Sequence, residues 1–538
     1  MARVGRRRAR PGALALVTIL WAALLVGWLQ LTPLFRAADE PAHVDLVLRL
    51  ADGGSYAAPG TLDLDPQVRA SFPLAGLSTA ERPELAALFP LPLTTTEVPE
   101  RSASFDELPV DERLTPYPNQ MTQHPPLYYL LLAGLSRVLP GFDGWSFPVQ
   151  LGVLRLLSAG LLLPVPLLAA TAARRLGAGR PVCVTAAVLP LAVPQLAHVG
   201  ASVTNDALLV LLGGAAALPL LAVSRGDTSR RTAAGLGVLL GLALLTKAWA
   251  VGLLAWAALA YGLALLGPAR ADRVRAVTSG ALAAGVALLV GGWWWVANVV
   301  RYGALQPQGA TAFPERDVDT DLLVFTEGVV TRLTASTWGN FGWLELRIPE
   351  PAQYAGASVL LLGLVLAVGR RSTAPWGRAA AATALAAFCV QVAVVYQQSL
   401  KNYLRGGYFA GLQGRYLFAF VAVLAALAAV GLAGLPPRAR RALAPLLALA
   451  AAAAMQLGGV TTALQGFWGA DDVGLRRAVA VQAAWAPFPG PVLAAAVLAG
   501  ALAAALLVAV LVADRRRPAR SRPLPVLDAS SRRRTPTG

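Results

Sequence analysis

Asp39-Glu40-Pro41-Ala42-His43 follows an apolar run from about Leu14 to Leu34. That run is long enough to cross a bilayer, which takes about 20 residues, so the acidic residues stand where the chain leaves the membrane. A helix cap explains the two acids and the proline. It leaves the histidine unexplained, because Asp39 and His43 are four residues apart and share one face of a helix. Capping and a reactive site therefore both remain open at this point.

The composition is that of a polytopic membrane protein. The chain has 538 residues, of which 56% are hydrophobic and 14% are charged, and its mean hydropathy is +0.58. The net charge of +17 does not indicate binding to nucleic acid, because the basic residues occur in short clusters between apolar runs. We therefore predict an all-α bundle of about twelve to thirteen transmembrane helices rather than a soluble enzyme.

The apolar spans and the arginine clusters together predict a topology. Spans lie near 12–34, 149–173, 181–199, 206–223, 232–246, 248–267, 277–300, 353–369, 379–397, 414–434, 442–460 and 490–513. Arginine clusters occupy alternate connections, and the positive-inside rule places these connections and both termini in the cytoplasm. The remaining connections then lie outside the plasma membrane. Among them, the apolar segment 125–139 is short for a span and is predicted to lie along the membrane surface.

This topology divides the chain into seven parts. They are a basic cytoplasmic N-terminus at 1–11, a first transmembrane helix at 12–34, an extracytoplasmic loop with the acidic motif and a juxtamembrane helix at 35–148, a transmembrane module at 149–300, a second extracytoplasmic segment at 301–352, C-terminal transmembrane helices at 353–513 and a disordered cytoplasmic tail at 514–538. In the second extracytoplasmic segment, Asp319 caps a predicted interfacial helix that extends to Leu333 and carries Leu322, Phe325 and Val329 at helical spacing.

Polar residues at the outer ends of the spans are candidate site residues. Arg155 lies inside the second span, where an unpaired cation costs about 2.5 kcal/mol or more, so it needs a cavity or a partner. Lys247, one of only two lysines, separates the short fifth and sixth spans. The other candidates are His124, Asn205, Asp206, Arg415 and Tyr416. Cations that converge on acids suit a phosphorylated lipid headgroup, with carboxylates beside it for proton transfer.

Three of these motifs also have a purely structural interpretation. The two prolines after His124 rigidify a turn and begin a helix. Asn205-Asp206 is common turn chemistry, and Lys247 is placed as a lysine that snorkels at a helix end. Arg155 and Lys247 are nevertheless predicted to meet near the outer leaflet and to form an anion site across from the acids, because each is isolated in apolar sequence.

The order of these motifs resembles the GT-C glycosyltransferases. An acidic pair follows the first span, His124-Pro-Pro-Leu and then an arginine mark the second span, Asn205-Asp206 precedes the fourth, and a lysine follows the fifth. The first motif, together with Trp-Gly-Asn-Phe-Gly-Trp at 338–343 and Gln-Gly-Arg-Tyr at 413–416, is similar to a family of actinobacterial predicted membrane proteins without an assigned activity. The similarity covers almost the whole chain except for the two tails.

The resemblance implies a multi-spanning enzyme that takes a sugar from a polyprenyl-phosphate donor outside the cytoplasmic membrane. The acceptor is then a glycan, lipid or protein of the cell envelope. Asp39 becomes the general base for its hydroxyl, with Glu40 beside it. In this sequence either Glu40 or His43 can orient Asp39. Arg155, Lys247 and Arg415 hold the donor phosphate. No second acid is committed as a nucleophile, so a single displacement with inversion is expected.

Metal use and the class of function stay open on the sequence. Relatives often have a carboxylate where this chain has His43; Asp39 and His43 supply two ligands for a divalent ion, but no third is visible, which favours a site without metal. A transporter also places ionisable residues inside a bundle, although we find neither inverted repeats nor matching broken spans. A non-catalytic protein of envelope assembly is the other alternative.

Overall fold

The computed structural model describes residues 12–77, 92–110, 116–266, 269–307, 315–369, 375–435 and 443–515. The predictions for the N-terminus at 1–11 and for the tail beyond residue 515 lie outside these residues. Within the described ranges the chain forms helices and a single two-stranded antiparallel sheet. The predicted all-α polytopic bundle is therefore confirmed.

The first half of the chain contains eleven of the described helices. They are α1 (Ala13–Leu31), α2 (Glu40–Ala51), α3 (Pro66–Leu74), α4 (Leu127–Arg137), α5 (Phe147–Leu162), α6 (Val165–Arg175), α7 (Arg180–Val188), α8 (Pro194–Gly200), α9 (Asp206–Val223), α10 (Arg230–Leu244) and α11 (Val251–Ala264).

The second half contains ten described helices and the small sheet. They are α12 (Arg270–Ala287), α13 (Trp293–Tyr302), α14 (Leu322–Trp338), β1 (Asn340–Phe341), β2 (Leu346–Arg347), α15 (Glu350–Gly369), α16 (Pro375–Gly406), α17 (Val421–Leu432), α18 (Ala444–Trp468), α19 (Ala470–Val473), α20 (Leu475–Trp485) and α21 (Gly490–Arg515).

The twelve predicted spans correspond to helices, although not all of them are long. Nine helical stretches in the described ranges are long and apolar enough to cross a membrane, and a tenth is added if the bent pair Arg180–Ala192 and Pro194–Gly200 counts as one span. The other two are α10, with 15 residues, and the apolar helix Ala248–Ala264. These two are short because the chain leaves the helical conformation at Lys247, which lies between them.

The juxtamembrane helix predicted at 125–139 is α4. Its 11 residues span roughly 16 Å at 1.5 Å per residue, about half the hydrocarbon thickness of a bilayer. It packs against α2 and buries Tyr128, Tyr129 and Leu132. Helix α4 is therefore too short to cross a bilayer by itself.

The helix predicted between Asp319 and Leu333 begins later than expected. Helix α14 starts at Leu322, and its cap is Asp321, whose carboxylate accepts hydrogen bonds from the backbone N–H groups of Leu323 (2.6 Å) and Val324 (3.2 Å). Phe325, Val329 and Leu333 are buried as their spacing predicts, whereas Leu322 is 56% exposed. Because Asp321 caps the helix, Leu322 lies in its first turn and outside the buried face that Phe325, Val329 and Leu333 share.

Helix ends that carry the candidate residues meet at one end of the bundle. Helix α9 contacts α5 and the 3-10 turn Gly414–Phe420 that precedes α17. A large apolar cluster extends from α2 and α4 down between α9, α10, α11 and α17, and a second one joins α1, α18 and α21. Helix α9 has 18 residues, so the arginines that follow it lie roughly 27 Å from its first turn.

Candidate active site

Asp39 occupies the N-cap position of α2 but does not cap it. Its backbone is in the left-handed region, with φ at 65°, and its side chain makes no capping hydrogen bond. The carboxylate instead accepts a hydrogen bond of 2.5 Å from Nη2 of Arg415 and is 22% exposed. A non-glycine residue held in this conformation stores strain, and such residues cluster at functional sites. The interpretation of Asp39 as a simple helix cap is therefore wrong.

Glu40 and Arg155 form a closed ion pair in the protein interior. Nε and Nη2 of Arg155 donate to the two Glu40 oxygens at 2.8 and 2.6 Å, and neither side chain is exposed. The remaining N–H groups of Arg155 are directed at the backbone oxygens of Leu29, Thr32 and Pro33, 2.7 to 3.2 Å away. A guanidinium has five N–H groups, and all five have protein acceptors here.

This geometry corrects the predicted role of Arg155. Because no N–H group of Arg155 remains open, it has no donor left for a phosphate, and it pairs with a different acid from Lys247. The predicted anion site of Arg155 with Lys247 is therefore not formed. Glu40 is equally occupied, since its Oε1 also accepts the backbone N–H of Val203 at 3.1 Å. The pair fastens α2 to α5 and the turn before α9.

Asp206 and Lys247 continue the charge network that begins at Asp39. Nζ of Lys247 donates to Oδ1 of Asp206 at 2.8 Å, and Nε of Arg415 lies 3.4 Å from Oδ2 of the same carboxylate. Both Asp206 and Lys247 are buried. Charges therefore alternate along Asp39, Arg415, Asp206 and Lys247, and Arg415 is shared between two acids.

Tyr416 supports the two cations of this network. Its ring stacks on Trp249, with centroids 4.5 Å apart. Nζ of Lys247 lies 5.3 Å from the centre of the Tyr416 ring, and the guanidinium carbon of Arg415 lies 5.7 Å from it. The face of an aromatic ring attracts cations at such distances. Tyr416 thus lies where it limits how far both cations can move.

His43 does not orient Asp39, contrary to its predicted role. Its Nδ1 lies 3.0 Å from the hydroxyl of Tyr129, and the two rings stack. Asn205 lies on the other side of that hydroxyl, with Nδ2 3.5 Å from it. The His124 carbonyl accepts a hydrogen bond from Tyr56, and its ring Nδ1 is buried without a hydrogen bond among the described residues.

Both of these imidazoles are uncharged at neutral pH. Burial, reinforced by the nearby Lys247 ammonium, lowers the pKa of His43 well below its ordinary value and that of His124 to about 3.

His43 and Asp39, the two candidate metal ligands, are directed at different partners. Within the described ranges, three or more His, Cys, Asp or Glu side chains nowhere form a group suited to a metal ion. A site without metal stays a prediction.

Two cavities adjoin the charge network. A small polar cleft of about 20 Å³ lies between the turn before Asp39 and Gly342, and Gln195, Gln413 and Arg415 are among its lining residues. An apolar groove of about 350 Å³ is lined mainly by α15, α17 and α18. The cleft and the groove are neighbours, because Ser336 lines the cleft and Thr337 lines the groove.

A family model described as "Predicted membrane protein (DUF2142)" matches residues 23–424. The chain belongs to this family. The matched region extends from α1 into α17 and includes every candidate residue from Asp39 to Tyr416.

Among solved structures, the chain of this DUF2142 protein is similar to ArnT from Cupriavidus metallidurans bound to undecaprenyl phosphate. The identity is 14%, the match covers 92% of this chain and 77% of that chain, and the TM-score is 0.42. A likeness at this level says nothing about the reaction. No protein with a curated description matches the chain.

Sequence reasoning missed the polar walls of the cleft in this DUF2142 protein. Gln195 also accepts the backbone N–H of Asn340 at 2.7 Å, and Ser336 accepts that of Gly414 at 2.9 Å. Neither residue stood in a recognised motif. Gly342 and Gln413 belong to the motifs at 338–343 and 413–416, so the sequence did point to these two residues. No spacing along the chain predicts that the two motifs lie side by side.

Proposed function

We propose that this member of the DUF2142 family is a membrane glycosyltransferase. It moves a sugar from a polyprenyl-phosphate donor to a hydroxyl of a cell-envelope acceptor on the extracytoplasmic face of the plasma membrane. The observation that carries the proposal is the apolar groove that adjoins a polar cleft lined in part by Arg415. A donor with a long apolar tail and an anionic head matches the two cavities together. The motif order that resembles GT-C enzymes supports the same conclusion.

The groove and the cleft contribute to donor binding in different ways. Several groove residues, such as Val359 at 52%, are exposed on the apolar surface of the bundle. A polyprenyl tail leaves an equally apolar bilayer when it enters the groove, so it gains little hydrophobic free energy there. The groove orients the tail, and affinity for the donor comes mainly from its phosphate and sugar.

Arg415 is the residue that receives the phosphate. It lines the cleft and lies two residues before Leu417, which lines the groove. In the structure it is paired with Asp39 at the partly exposed side and with Asp206 at the buried side. A phosphate that approaches from the cleft competes with Asp39 for the guanidinium. Donor binding therefore releases the Asp39 carboxylate, while Asp206 keeps Arg415 and Lys247 in place.

The released carboxylate acts as the general base. Asp39 takes the proton of the acceptor hydroxyl as its oxygen attacks the anomeric carbon of the sugar. The bond from that carbon to the phosphate oxygen breaks, and the phosphate leaves on the lipid. Arg415, with Lys247 behind it, stabilises the charge that develops on the phosphate. One displacement inverts the anomeric centre.

Transfer by the purified protein tests this function. Labelled polyprenyl-phosphoryl hexoses and pentoses are supplied with an envelope fraction as acceptor. Asp39→Asn is expected to reduce turnover by about 100-fold or more, because the amide cannot take the proton, while donor binding is retained. Asp63→Asn, an exposed acid in the same loop, is the matched control.

Two results would contradict the proposal at different points. Full turnover by Asp39→Asn would remove Asp39 as the base but leave the enzyme class. No transfer by the wild-type protein from any donor in the panel would reject the enzyme class and favour the transporter alternative.

A further inference from the structure

A second pair of cations lies at the end of the bundle opposite to Asp206. Arg175 is the last residue of α6, and Arg225 lies two residues beyond the end of α9. The stretch Phe147–Arg175 and helix α9 are both long and apolar enough to cross a membrane. The two arginines therefore stand where spans end, at the level of the lipid headgroups.

Backbone contacts hold both arginines in place. Nη1 of Arg225 donates to the carbonyl of Arg175, and Nη1 of Arg175 donates to the carbonyl of Leu218 in α9 at 3.1 Å. A guanidinium has five N–H groups. Among the described residues, no other acceptor binds the side chain of either arginine. Most donors of the pair therefore remain open to a ligand.

Asp227 lines the same cavity as the two arginines, but its carboxylate is held by the start of α10. Its Oδ1 accepts the backbone N–H of Ser229 at 3.0 Å, and its Oδ2 accepts the hydroxyl of Thr232 at 2.7 Å. Among the described residues, neither arginine forms an ion pair with Asp227 or with another acid. Two positive charges thus face one negative charge, and one positive charge stays unbalanced.

The cavity between these charges is large enough for a small anionic group. Arg175, Arg225, Asp227 and Ala222 line a space of about 260 Å³. A single water needs only about 10 to 15 Å³ of such space. The three charged side chains are exposed, so a ligand can reach them without opening the bundle. A phosphate group with its ester substituents therefore fits between the arginines.

A lipid-facing strip of α6 leads to this cavity. Leu167 is 41% exposed, and Thr171, one turn further along, is exposed as well. Residues four apart share one face of a helix, so Leu167, Thr171 and Arg175 lie on a common strip. The hydroxyl of Thr171 donates to the carbonyl of Leu167 at 2.7 Å, which leaves no open donor on the strip before Arg175. An acyl chain can therefore lie along α6 while its headgroup meets Arg175.

We propose that Arg175 and Arg225 bind the phosphate of an anionic phospholipid in the cytoplasmic leaflet. Arginine binds phosphate oxygens through paired N–H groups, and basic pockets between spans on the cytoplasmic side bind lipid headgroups. A phosphodiester with an uncharged alcohol, as in phosphatidylglycerol, carries a single negative charge and balances the positive charge that Asp227 leaves. Phosphatidylcholine brings a cation of its own, so the site favours phosphatidylglycerol.

The bound lipid joins α6 to the turn after α9. Two guanidinium groups side by side repel each other, and a phosphate between them replaces this repulsion with attraction to both. The lipid thus stabilises the end of the bundle that lies opposite to the charge network of Asp39, Arg415, Asp206 and Lys247. Neither Arg175 nor Arg225 takes part in the proposed sugar transfer, so the inference goes beyond that function and does not depend on it.

Titration of the full-length protein in detergent with single lipids tests the inference, and native mass spectrometry counts the lipids bound. The wild-type protein is expected to bind phosphatidylglycerol about tenfold or more tightly than phosphatidylcholine. The double variant Arg175→Gln with Arg225→Gln should reduce this preference to within about twofold, because both charges are lost. Arg270→Gln with Arg273→Gln, two exposed arginines in the first turn of α12, is the matched control and should keep the wild-type preference.

Three results would overturn the inference. Equal binding of the two lipids by the wild-type protein would show that no anionic headgroup site exists. An equal loss in the control pair would show that the overall positive charge of this end attracts the lipid, and not the cavity. Equal affinity for the water-soluble headgroup glycerophosphoglycerol would identify a soluble phosphate as the ligand. Arg175→Lys with Arg225→Lys retains both charges and should keep part of the preference, which supplies the comparison if the glutamine variant does not fold.

Discussion

Arg155 and Arg415 are both buried arginines that face carboxylates, yet they differ in whether a ligand can reach their N–H groups. Every N–H group of Arg155 has an acceptor in the protein. Arg415 is shared between Asp206, which is buried, and Asp39, which is 22% exposed. A ligand can replace the exposed partner at little cost in desolvation, because that carboxylate returns to water. Arg155 therefore belongs to the scaffold, and under the proposed function Arg415 belongs to the chemistry.

Removal of Arg155 should destabilise the protein more than removal of Arg415. Arg155→Ala leaves Glu40 buried without a counter-charge, which costs on the order of 3–5 kcal/mol. Arg415→Ala leaves Asp206 paired with Lys247 and Asp39 partly solvated. We expect a lower Tm in detergent for Arg155→Ala, and for Arg415→Ala a near-normal Tm with at least tenfold weaker binding of polyprenyl phosphate. The reverse order of Tm values would contradict this division of roles.

Asp45 is expected to make stability depend on pH. It accepts hydrogen bonds from Asn119 Nδ2 (2.5 Å) and the Asp65 N–H (2.9 Å), yet burial raises its pKa from 3.8 to about 6. The folded protein thus binds a proton more tightly than the unfolded chain. Asp45 therefore contributes on the order of 1–3 kcal/mol to the free energy of unfolding. This contribution is full below about pH 4 and is lost as the pH rises through 6.

The pH profile of the Tm measures this contribution. Asp45→Asn cannot titrate, so its Tm should fall less than that of the wild-type protein between pH 4.5 and pH 7.5. Asp63→Asn, an exposed acid nearby, should keep the wild-type slope. Identical slopes for Asp45→Asn and the wild-type protein would exclude Asp45 as the titrating group.

At the level of elements, α9 and the 3-10 turn Gly414–Phe420 are packed backbone to backbone. A Cβ at Gly213 would lie 2.2 Å from the carbonyl oxygen of Ala419, so only glycine allows this approach. The contact holds the turn that carries Arg415 against the helix that begins with Asp206. The distance between these two charges is therefore set by helix packing as well as by their attraction.

Helix α15 forms one wall of the groove, and a large side chain there should block the donor tail. Ala355 is exposed and lines the groove, so Ala355→Trp can be accommodated without disturbing the core. We expect the Tm to be unchanged and binding of a long-chain polyprenyl phosphate to weaken at least tenfold. Leu361→Trp, at a 63% exposed position of the same helix outside the groove, is the control. Normal binding by Ala355→Trp would show that the tail lies elsewhere.

Across the whole molecule, hydropathy predicted which segments form helices, but it did not predict which charged side chains pair between them. Each of the twelve apolar runs became a helix or a bent helix pair, because burial from water acts on each run separately. Ion pairs depend on which helix ends meet. Arg155 pairs with Glu40, which lies 115 residues away along the chain, and Arg415 pairs with Asp39, which lies 376 residues away. Isolation in apolar sequence showed that Arg155 needed a partner, but not which one.

The backbone strain at Asp39 illustrates the same limit. It could not be predicted from the sequence, because an aspartate before Glu-Pro is typical of an ordinary helix cap. The sequence did predict that the candidates share one end of the bundle, because they stand at or near helix ends that the arginine clusters assign to one side.

The distribution of charge between the two ends predicts the orientation of the bundle. Arg175 and Arg225 lie beside each other at the end opposite to Asp206, where Arg225 Nη1 donates to the carbonyl of Arg175. Positive charge next to a span is retained in the cytoplasm, so this end should be cytoplasmic and the site extracytoplasmic. Single cysteines are introduced at Asp65 and at Arg230 after replacement of Cys183 and Cys389. An impermeant thiol reagent on intact cells should label the cysteine at position 65, and the one at position 230 only after lysis. Labelling of position 230 alone on intact cells would invert the topology, and a donor exposed outside the membrane could then not reach Arg415.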